Sequence, residues 1–464
     1  VCESLQDWDG NGVPDACEGL VAYNTSSGNG YGGFDAAVQD SGDGDVIWVD
    51  ATYADTLATM DFHGAAVDVL LLGGGSPSAA VDMADGSSLH VGAMSDLYRI
   101  NSDTSGTASV ASDMHLHATT VNVFRDASLN LSGGHMMFGD LSLRRDSELL
   151  LDAPTTIIDG TWTCNTGSSV YTPSGVSMNG TMVGTFDMFG SMTNGGTVQA
   201  IDDVMITGDL TNDNVVAIHR GVLYVLGNIT NNGTIVGEVD PGPGMRGGDD
   251  PAEGDGLRVA GNYAAGSDAS LYMQHENWNL AVGGNFDVAI NDNARFDMSL
   301  ATLDLNGHAG QQDIEVMSAD MGGIEEALDP ALSDAFPVGL MRVSSGATAT
   351  LVDNHDNDNA GQDLSEVIYT AKLVVETGAT LNTNGYIIYT SEVENLGTIA
   401  DEDDVIIINP PMPGDADGDG IVGILDILVV IAEWGECGDT CNGDFDGNGS
   451  VDILDILVVI ANWS

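Results

Sequence analysis

The stretches GSMTNGGTV (190–198), GDLTNDNVV (208–216) and GNITNNGTI (227–235) align with one another at spacings of 18 and 19 residues. In each, short apolar–polar alternation is followed by an Asn-rich turn and a second short apolar run. Alternation bounded by turn residues is the pattern of a half-buried strand. A repeat near 20 residues, made of strands and turns, predicts a β-solenoid in which each repeat is one coil. A coil that short has room for two or three strands, but no crossover helix of ordinary length. Asn recurring at one turn would stack into a hydrogen-bonded ladder. A weaker echo, ENLGTI, falls at 394–399.

The same texture, rich in Gly, Asn, Thr, Ser and β-branched residues, extends over 21–408. Coils of about 21 residues rising about 4.8 Å each would give roughly 18 coils and a rod of roughly 85 Å. The competing reading is a β-sandwich, whose turns recur every 8–12 residues, a spacing that some stretches also fit. Two interruptions stand out. DPGPGMRGGDDPAEGDG (240–256) is too rich in Gly, Pro and charge for a strand and predicts a projecting loop. MGGIEEALDPALSDAF (321–336) predicts one or two short helical turns broken at Pro330.

The 464 residues carry 71 Asp+Glu against 10 Lys+Arg, a formal charge of −61. Phosphate binding needs clustered Lys and Arg, so nucleic acid is excluded as a partner class, and an anionic membrane is disfavoured for the same reason. With 43% apolar residues the chain has material for a core. Self-repulsion on this scale predicts a saline setting, bound divalent cations, or both. No apolar run reaches the ~18 residues that span a bilayer, so no membrane insertion is expected. The start at Val1 reads as a processed chain. The cysteines form two local pairs, Cys2 with Cys17 and Cys437 with Cys441, leaving Cys164. Local pairs in a processed chain predict disulfides and an extracellular or cell-surface location. Metal thiolates, the alternative, need four clustered ligands.

Three Asp-rich loops bracket the strand region. In DWDGNGVPDACE (7–18), Asp7, Asp9, Asn11, the Val13 carbonyl, Asp15 and Glu18 occupy the six ligand positions of the twelve-residue calcium loop, with Gly12 at its sharp turn. DADGDGIVGILD (415–426) offers Asp415, Asp417, Asp419, the Ile421 carbonyl and Asp426, with water left for position nine, which is Gly423. DFDGNGSVDILD (444–455) offers Asp444, Asp446, Asn448, the Ser450 carbonyl, Asp452 and Asp455. Ca²⁺ is the expected cofactor, because without a cation each loop would crowd mutually repelling carboxylates. NPPMPG (409–414) reads as a linker, which divides the chain into 1–20, 21–408 and 415–464.

The last two loops repeat at a spacing of 29, and ILDILVVIA recurs unchanged at 424–432 and 453–461. Duplicated loop–helix units with Asp at position twelve resemble a type I dockerin over 415–464. The resemblance implies calcium-dependent docking of a cohesin-like domain through helix positions ten and eleven, here Ile424, Leu425, Ile453 and Leu454. Dockerins of cellulosomes often carry polar residues there, and this chain departs from them. Helices apolar on nearly every side cannot be buried within about 50 residues, so an external contact is expected. Trp434 and Trp463 are candidate anchors for it or core residues.

The Cys-flanked N-terminal loop resembles a thrombospondin type 3 repeat. GFDAAVQDSGDGDVIWVDATYADT (33–56) resembles the opening coils of the pectin-lyase-like right-handed parallel β-helix, which implies a capping helix at Phe34–Gln39, a first strand at Asp45–Val49 and a turn at Tyr53–Thr56. The block 347–389 resembles the final segment of secreted, dockerin-tailed surface proteins of planctomycete-type bacteria.

Catalysis has little support. A lyase needs a cationic base, and the only lysine is Lys372. Asp202–Asp203 in AIDDVMI superficially fits the paired acids of a hydrolase, but adjacent acids on a strand face opposite ways. Asp353, Asp356 and Asp358 could hold a further cation. The nine histidines show no ligand spacing, with MHLH (114–117) reading as strand alternation. The chain therefore reads as a non-catalytic structural protein that polymerises with itself through its terminal modules. The alternatives are a cohesin-recruited polysaccharide-binding or polysaccharide-degrading protein, and an adhesin.

Overall fold

The computed structural model describes residues 7, 10, 19–50, 59–72, 80–91, 95–102, 106–237, 254–307, 310–357, 366–408, 413–417, 421–437, 441–445 and 448–463. Strands from Ala22 to Ile407 wind into a β-solenoid of about 16 turns. Strand alternation builds it. In His115–Val123 the side chains of Leu116, Ala118, Val121 and Val123 are buried, and the alternation slips once at Thr119–Thr120, where the strand turns a corner. The next coil repeats this in His135–Leu143, with the corner at Gly139–Asp140. Between Val46 and Ile407 the strands pair in parallel with their counterparts one coil on, apart from the short Ser318–Ala319 strand, so Leu116 lies beside Met136 and Leu129 beside Leu149. The inward residues of all coils form one continuous apolar core running along the axis, with Phe138, Trp162, Trp278 and Phe286 among its largest members.

A second sequence feature fixes one turn. Gly86, Asp126, Asp146, Gly346 and Gly378 all have positive φ, the left-handed conformation that Gly adopts freely and Asp tolerates. Each is followed by a small buried residue, Ser87, Ala127, Ser147, Ala347 or Ala379, and then by an outward residue and an inward one. In ADGSSL, FRDASL, RRDSEL, SSGATA and ETGATL the same turn therefore recurs around the solenoid.

The Asn repeat forms an interior ladder. Asn194 Nδ2 donates to Asn212 Oδ1 at 2.8 Å, and Asn212 Nδ2 donates to Asn231 Oδ1 at 2.8 Å, across separations of 18 and 19 residues. All three are buried, and their amides also reach the Val215, Thr234 and Ser270 carbonyls. An outer ladder runs parallel to it. Backbone N–H groups of Asn228, Asn262, Asn285 and Asp313 donate in turn to the side-chain oxygens of Asp209, Asn228, Asn262 and Asn285.

The coil count is lower than the expected 18 because loops draw residues out of coils. Val222–Val225 pairs directly with Gly256–Val259, so the predicted 240–256 insertion lies between neighbouring coils, although 238–253 are outside the described residues. The 321–336 segment makes one 3₁₀ turn, Glu325–Leu328, which buries Ala327 against Val367, Tyr369, Tyr389 and Ile408. About 16 turns at about 4.8 Å make roughly 75 Å.

The two ends differ. At the N-terminal end Ala22–Asn24 pairs antiparallel with both Asn29–Tyr31 and Val46–Asp50, and helix α1 (Phe34–Gln39) buries Phe34, Ala37 and Val38. The capping helix is where the sequence placed it. The first strand after the helix is Val46–Asp50, one residue later than expected, and the Tyr53–Thr56 turn is outside the described residues. At the C-terminal end Val405–Ile407 pairs with Ile388–Asn395 on one side only among the described residues, and Leu396, Ile406 and Ile407 are exposed.

Beyond the solenoid, helices α2 (Ile424–Ala432) and α3 (Ile453–Ala461) enclose a small core of Ala416, Val422, Val430, Val451 and Val459. A two-stranded antiparallel pair, Gly435–Glu436 with Ser450–Val451, ties the two units. No helix among the described residues is long and apolar enough to cross a membrane.

Candidate functional site

The C-terminal loops are organised by the aspartate at position twelve. Asp426 is buried at the first turn of α2, where its Oδ1 accepts from Ala416 N and Asp417 N at 2.7 and 3.2 Å and its Oδ2 from Gly423 N at 2.6 Å. One carboxylate therefore gathers the start of the loop, its end and the helix. Burial pushes the Asp426 carboxyl up, but the N–H groups of Gly423, Asp417 and Ala416 outweigh it and hold the group below the usual carboxylate range. Asp455 does the same at α3, accepting from Phe445 N and Asp452 N at 2.8 Å each.

Ligand atoms of Asp415, Asp417 and Asp426 lie within 4.8 Å of one another, and this all-oxygen group could hold a metal ion. In the second loop Asp444 accepts from Asn448 N and Gly449 N, while Asn448 Oδ1 accepts from Ser450 N. Asp452 caps α3 through Leu454 N at 2.7 Å. Asp419 and Asp446 lie outside the described residues. So do Asp9, Asn11, Val13, Asp15, Glu18 and the Cys2–Cys17 pair of the N-terminal loop, of which Asp7 is described. Cys437 and Cys441 form a disulfide with Cα atoms 5.7 Å apart.

The two helices present matched apolar faces to solvent. Ile424, Leu425, Leu428, Ile431 and Trp434, with Ile453, Leu454, Leu457, Ile460 and Trp463, are each between 49% and 60% exposed. Val430 and Val459 alone of the helical apolar residues are fully buried. Both tryptophans are thus surface residues, not core.

Other candidates fall into place. Asp202 and Asp203 sit in a turn between strands, where Asp202 accepts from Arg220 at 2.7 Å and Asp203 from Val222 N at 2.8 Å. Each is engaged by the next coil. Cys164 is buried and unpaired among the described residues, and desolvation raises its thiol far above the ordinary range. Lys372 holds Glu392 at 2.6 Å and Glu394 at 3.3 Å.

Two groupings escaped the sequence reading. The rings of His115 and His117, on one strand, and of His135, on the next coil, meet at tilted or edge-on angles with centroids 5.6 to 5.9 Å apart. Asp287, Glu315 and His355 bring ligand atoms within 4.8 Å of one another and could hold a metal ion. In the 353–357 loop the residue that joins this group is His355, whereas Asp353 and Asp356 are exposed and Asp358 is outside the described residues. Burial raises the Glu315 carboxyl to about 7 against the N–H groups of His355 and Asn354, which lower it.

One face of the solenoid carries a polar groove of about 560 Å³ lined by Arg258, Glu276, Asn279, Thr302, Asp304 and Arg342. Arg258, Ala281, Asp304 and Arg342 form one column across four consecutive coils. Burial raises the Asp304 carboxyl, partly offset by Ser344, whose hydroxyl lies 2.5 Å away. Compared with known proteins, the chain matches no family model, no curated protein and no solved structure.

Proposed function

We propose that this is a secreted, calcium-stabilised, non-catalytic structural protein, a right-handed β-helix of the pectin-lyase-like kind that self-assembles through its ends. The observation that carries the reading is the pair of matched apolar faces on α2 and α3, ten large side chains left in solvent. Such a face is costly in water and marks a docking surface. Calcium is the ion proposed for the Asp-rich loops, because their donors are all oxygens. In this reading the 415–464 unit is a dockerin-like module, the 7–18 loop is a thrombospondin type 3-like calcium loop, and the partner is a second copy or a cohesin-like domain. The edge at Val405–Ile407, paired on one side only among the described residues, suits head-to-tail contact, and such heterologous contacts extend into filaments. The test is electron microscopy of the purified chain in millimolar calcium and after EGTA. Filaments or sheets that dissolve on chelation are expected, and single rods in both conditions would overturn self-assembly.

The polar groove favours a second reading, an extracellular polysaccharide binder. Arg258 and Arg342 are two of only ten cations in the chain, and both line this groove. Guanidinium groups flanking Asn, Thr and Asp suit a carboxylated sugar. Affinity electrophoresis in polyuronate gels separates the readings, since only a glycan binder is retarded and loses retardation in Arg258→Ala/Arg342→Ala.

A further inference from the structure

We infer that Asp287, Glu315 and His355 form a site for a first-row transition-metal dication of the zinc class, distinct from the Asp-rich loops in place and in chemistry. The site is assembled by coil stacking. Phe286 pairs with Ile314, and Ile314 with Leu351, so Asp287 and Glu315 follow paired residues on consecutive coils. His355 comes from the loop that leaves the third coil. It reaches back over Glu315 to place Nε2 at 2.7 Å from Asp287 Oδ1, across 68 residues of sequence.

The loop is held in that position by hydrogen bonds besides the His355–Asp287 contact. The Asn354 and His355 N–H groups each donate to Glu315 Oε1 at 2.7 Å. Asn357, fully buried, donates through Nδ2 to the Val288 and Ile290 carbonyls at 2.8 and 2.7 Å, and through its N–H to Glu366 Oε1 at 2.6 Å. The imidazole is thus positioned by a backbone fold that does not depend on its own contact with Asp287.

Glu315 supplies the independent observation. It is 2% exposed, yet its Oε2 is buried with no hydrogen-bond partner among the described residues. A carboxylate oxygen in that state lacks a donor or a cation. One oxygen of Glu315, one imidazole nitrogen of His355 and one carboxylate oxygen of Asp287 lie within 4.8 Å of one another. Calcium takes oxygen donors, whereas imidazole with carboxylates suits zinc, manganese, iron or cobalt. Two carboxylates and a neutral imidazole carry charge −2, which a dication neutralises. Three protein ligands leave at least one position for water. Bound there, the ion would staple the 353–357 loop across three coils.

The test uses the full chain saturated with calcium, so that the Asp-rich loops are filled, and titrates Co²⁺ as a visible probe. One equivalent should bind with ligand-field absorption bands and be displaced by Zn²⁺. His355→Ala should weaken binding by about 100-fold or more and Glu315→Gln should weaken it too, while Asp356→Asn should leave it unchanged. No Co²⁺ binding in the parent chain, or binding unaltered in His355→Ala, would overturn the site. If His355→Ala does not fold, X-ray absorption at the zinc edge of the loaded parent chain decides. One imidazole with oxygen donors supports the site. Several imidazoles, as the His115–His117–His135 cluster would give, or none, would overturn it.

Discussion

Asn212 Nδ2 lies 2.8 Å from Asn231 Oδ1, and the two amides, 19 residues apart, are wholly buried between consecutive coils. The same Nδ2 reaches the Thr234 carbonyl at 3.0 Å, and Asn212 Oδ1 accepts from Asn194. Asn212→Ala would leave buried donors and acceptors on both neighbouring coils without partners. Each such group costs about 1–3 kcal/mol. We expect a loss of about 2–4 kcal/mol in urea unfolding. Asn228→Ala, on the exposed outer ladder, should cost less than about 1 kcal/mol because water replaces the bonds. Equal losses would show that the interior ladder has no special weight.

Gly180 stands in a column with Gly160 and Gly196, packed so closely that a Cβ at Gly180 would run into the Gly160 carbonyl oxygen, which is backbone and cannot turn aside. Gly180→Ala should destabilise the solenoid by about 2 kcal/mol or more through overpacking. At Gly42 nothing lies within 4 Å of an added Cβ, and Gly42→Ala should leave the midpoint within about 0.5 kcal/mol of the parent.

Asp426→Ala would strip the acceptor from Ala416 N, Asp417 N and Gly423 N at once. Charge-assisted bonds of this kind contribute about 1.5–3 kcal/mol each, so the 415–464 helices should lose their protection from amide exchange. Chelation should move the parent chain in the same direction. The folded Asp426 carboxyl is held below its ordinary value, so its contribution is present at neutral pH and is lost as pH falls below the ordinary carboxylate range. Exchange that is unchanged by both Asp426→Ala and EGTA would refute this account.

Leu425 and Leu454 are 54% and 50% exposed at equivalent helix positions. Leu425→Asp/Leu454→Asp should abolish association, read by light scattering in calcium, while thermal stability of the single chain shifts by less than about 0.5 kcal/mol per site. A large stability loss would instead mean that these residues are packed.

Glu315 gives a pH signature in metal-free buffer. Its folded carboxyl titrates near 7 against an ordinary 4.5, because burial outweighs the N–H bonds of His355 and Asn354. His355 also lowers it, and Asp287 raises it. Between 4.5 and 7 the folded chain holds a proton that the unfolded chain has released. Stability from this group is therefore greatest below 4.5, falls as pH rises to about 7, and is flat above. The total is on the order of 3 kcal/mol. Glu315→Gln should flatten that slope in urea midpoints taken from pH 4.5 to 8, and a slope that persists would assign it elsewhere.

The solenoid was legible because Asn194, Asn212 and Asn231 recur at nearly constant spacing, and constant spacing is what stacking of equal coils leaves in a sequence. The capping helix at Phe34–Gln39 was legible for a different reason, the resemblance of the 33–56 stretch to the opening coils of a β-helix family. The Asp287–Glu315–His355 grouping was not, because loops of unequal length separate its coils and no period links its members. Nor was the His115–His117–His135 cluster, since strand alternation explains His115 and His117 fully and only the coil register brings in His135. The left-handed turn residues at Asp126 and Asp146 left a readable signal independent of the Asn repeat, the recurring Arg-Asp-(Ala/Ser) followed two residues later by Leu.

Coils joined by short turns and coils joined across long insertions pair with their neighbours in the same parallel fashion, as Val222–Val225 does with Gly256–Val259. Axial length is therefore counted in turns and not in residues. Sequence can be added or removed at the loops without changing the separation of the two ends of the solenoid, whereas gain or loss of one whole repeat moves them by a single rung. A lineage of such chains could vary its surface freely and its reach only in discrete steps.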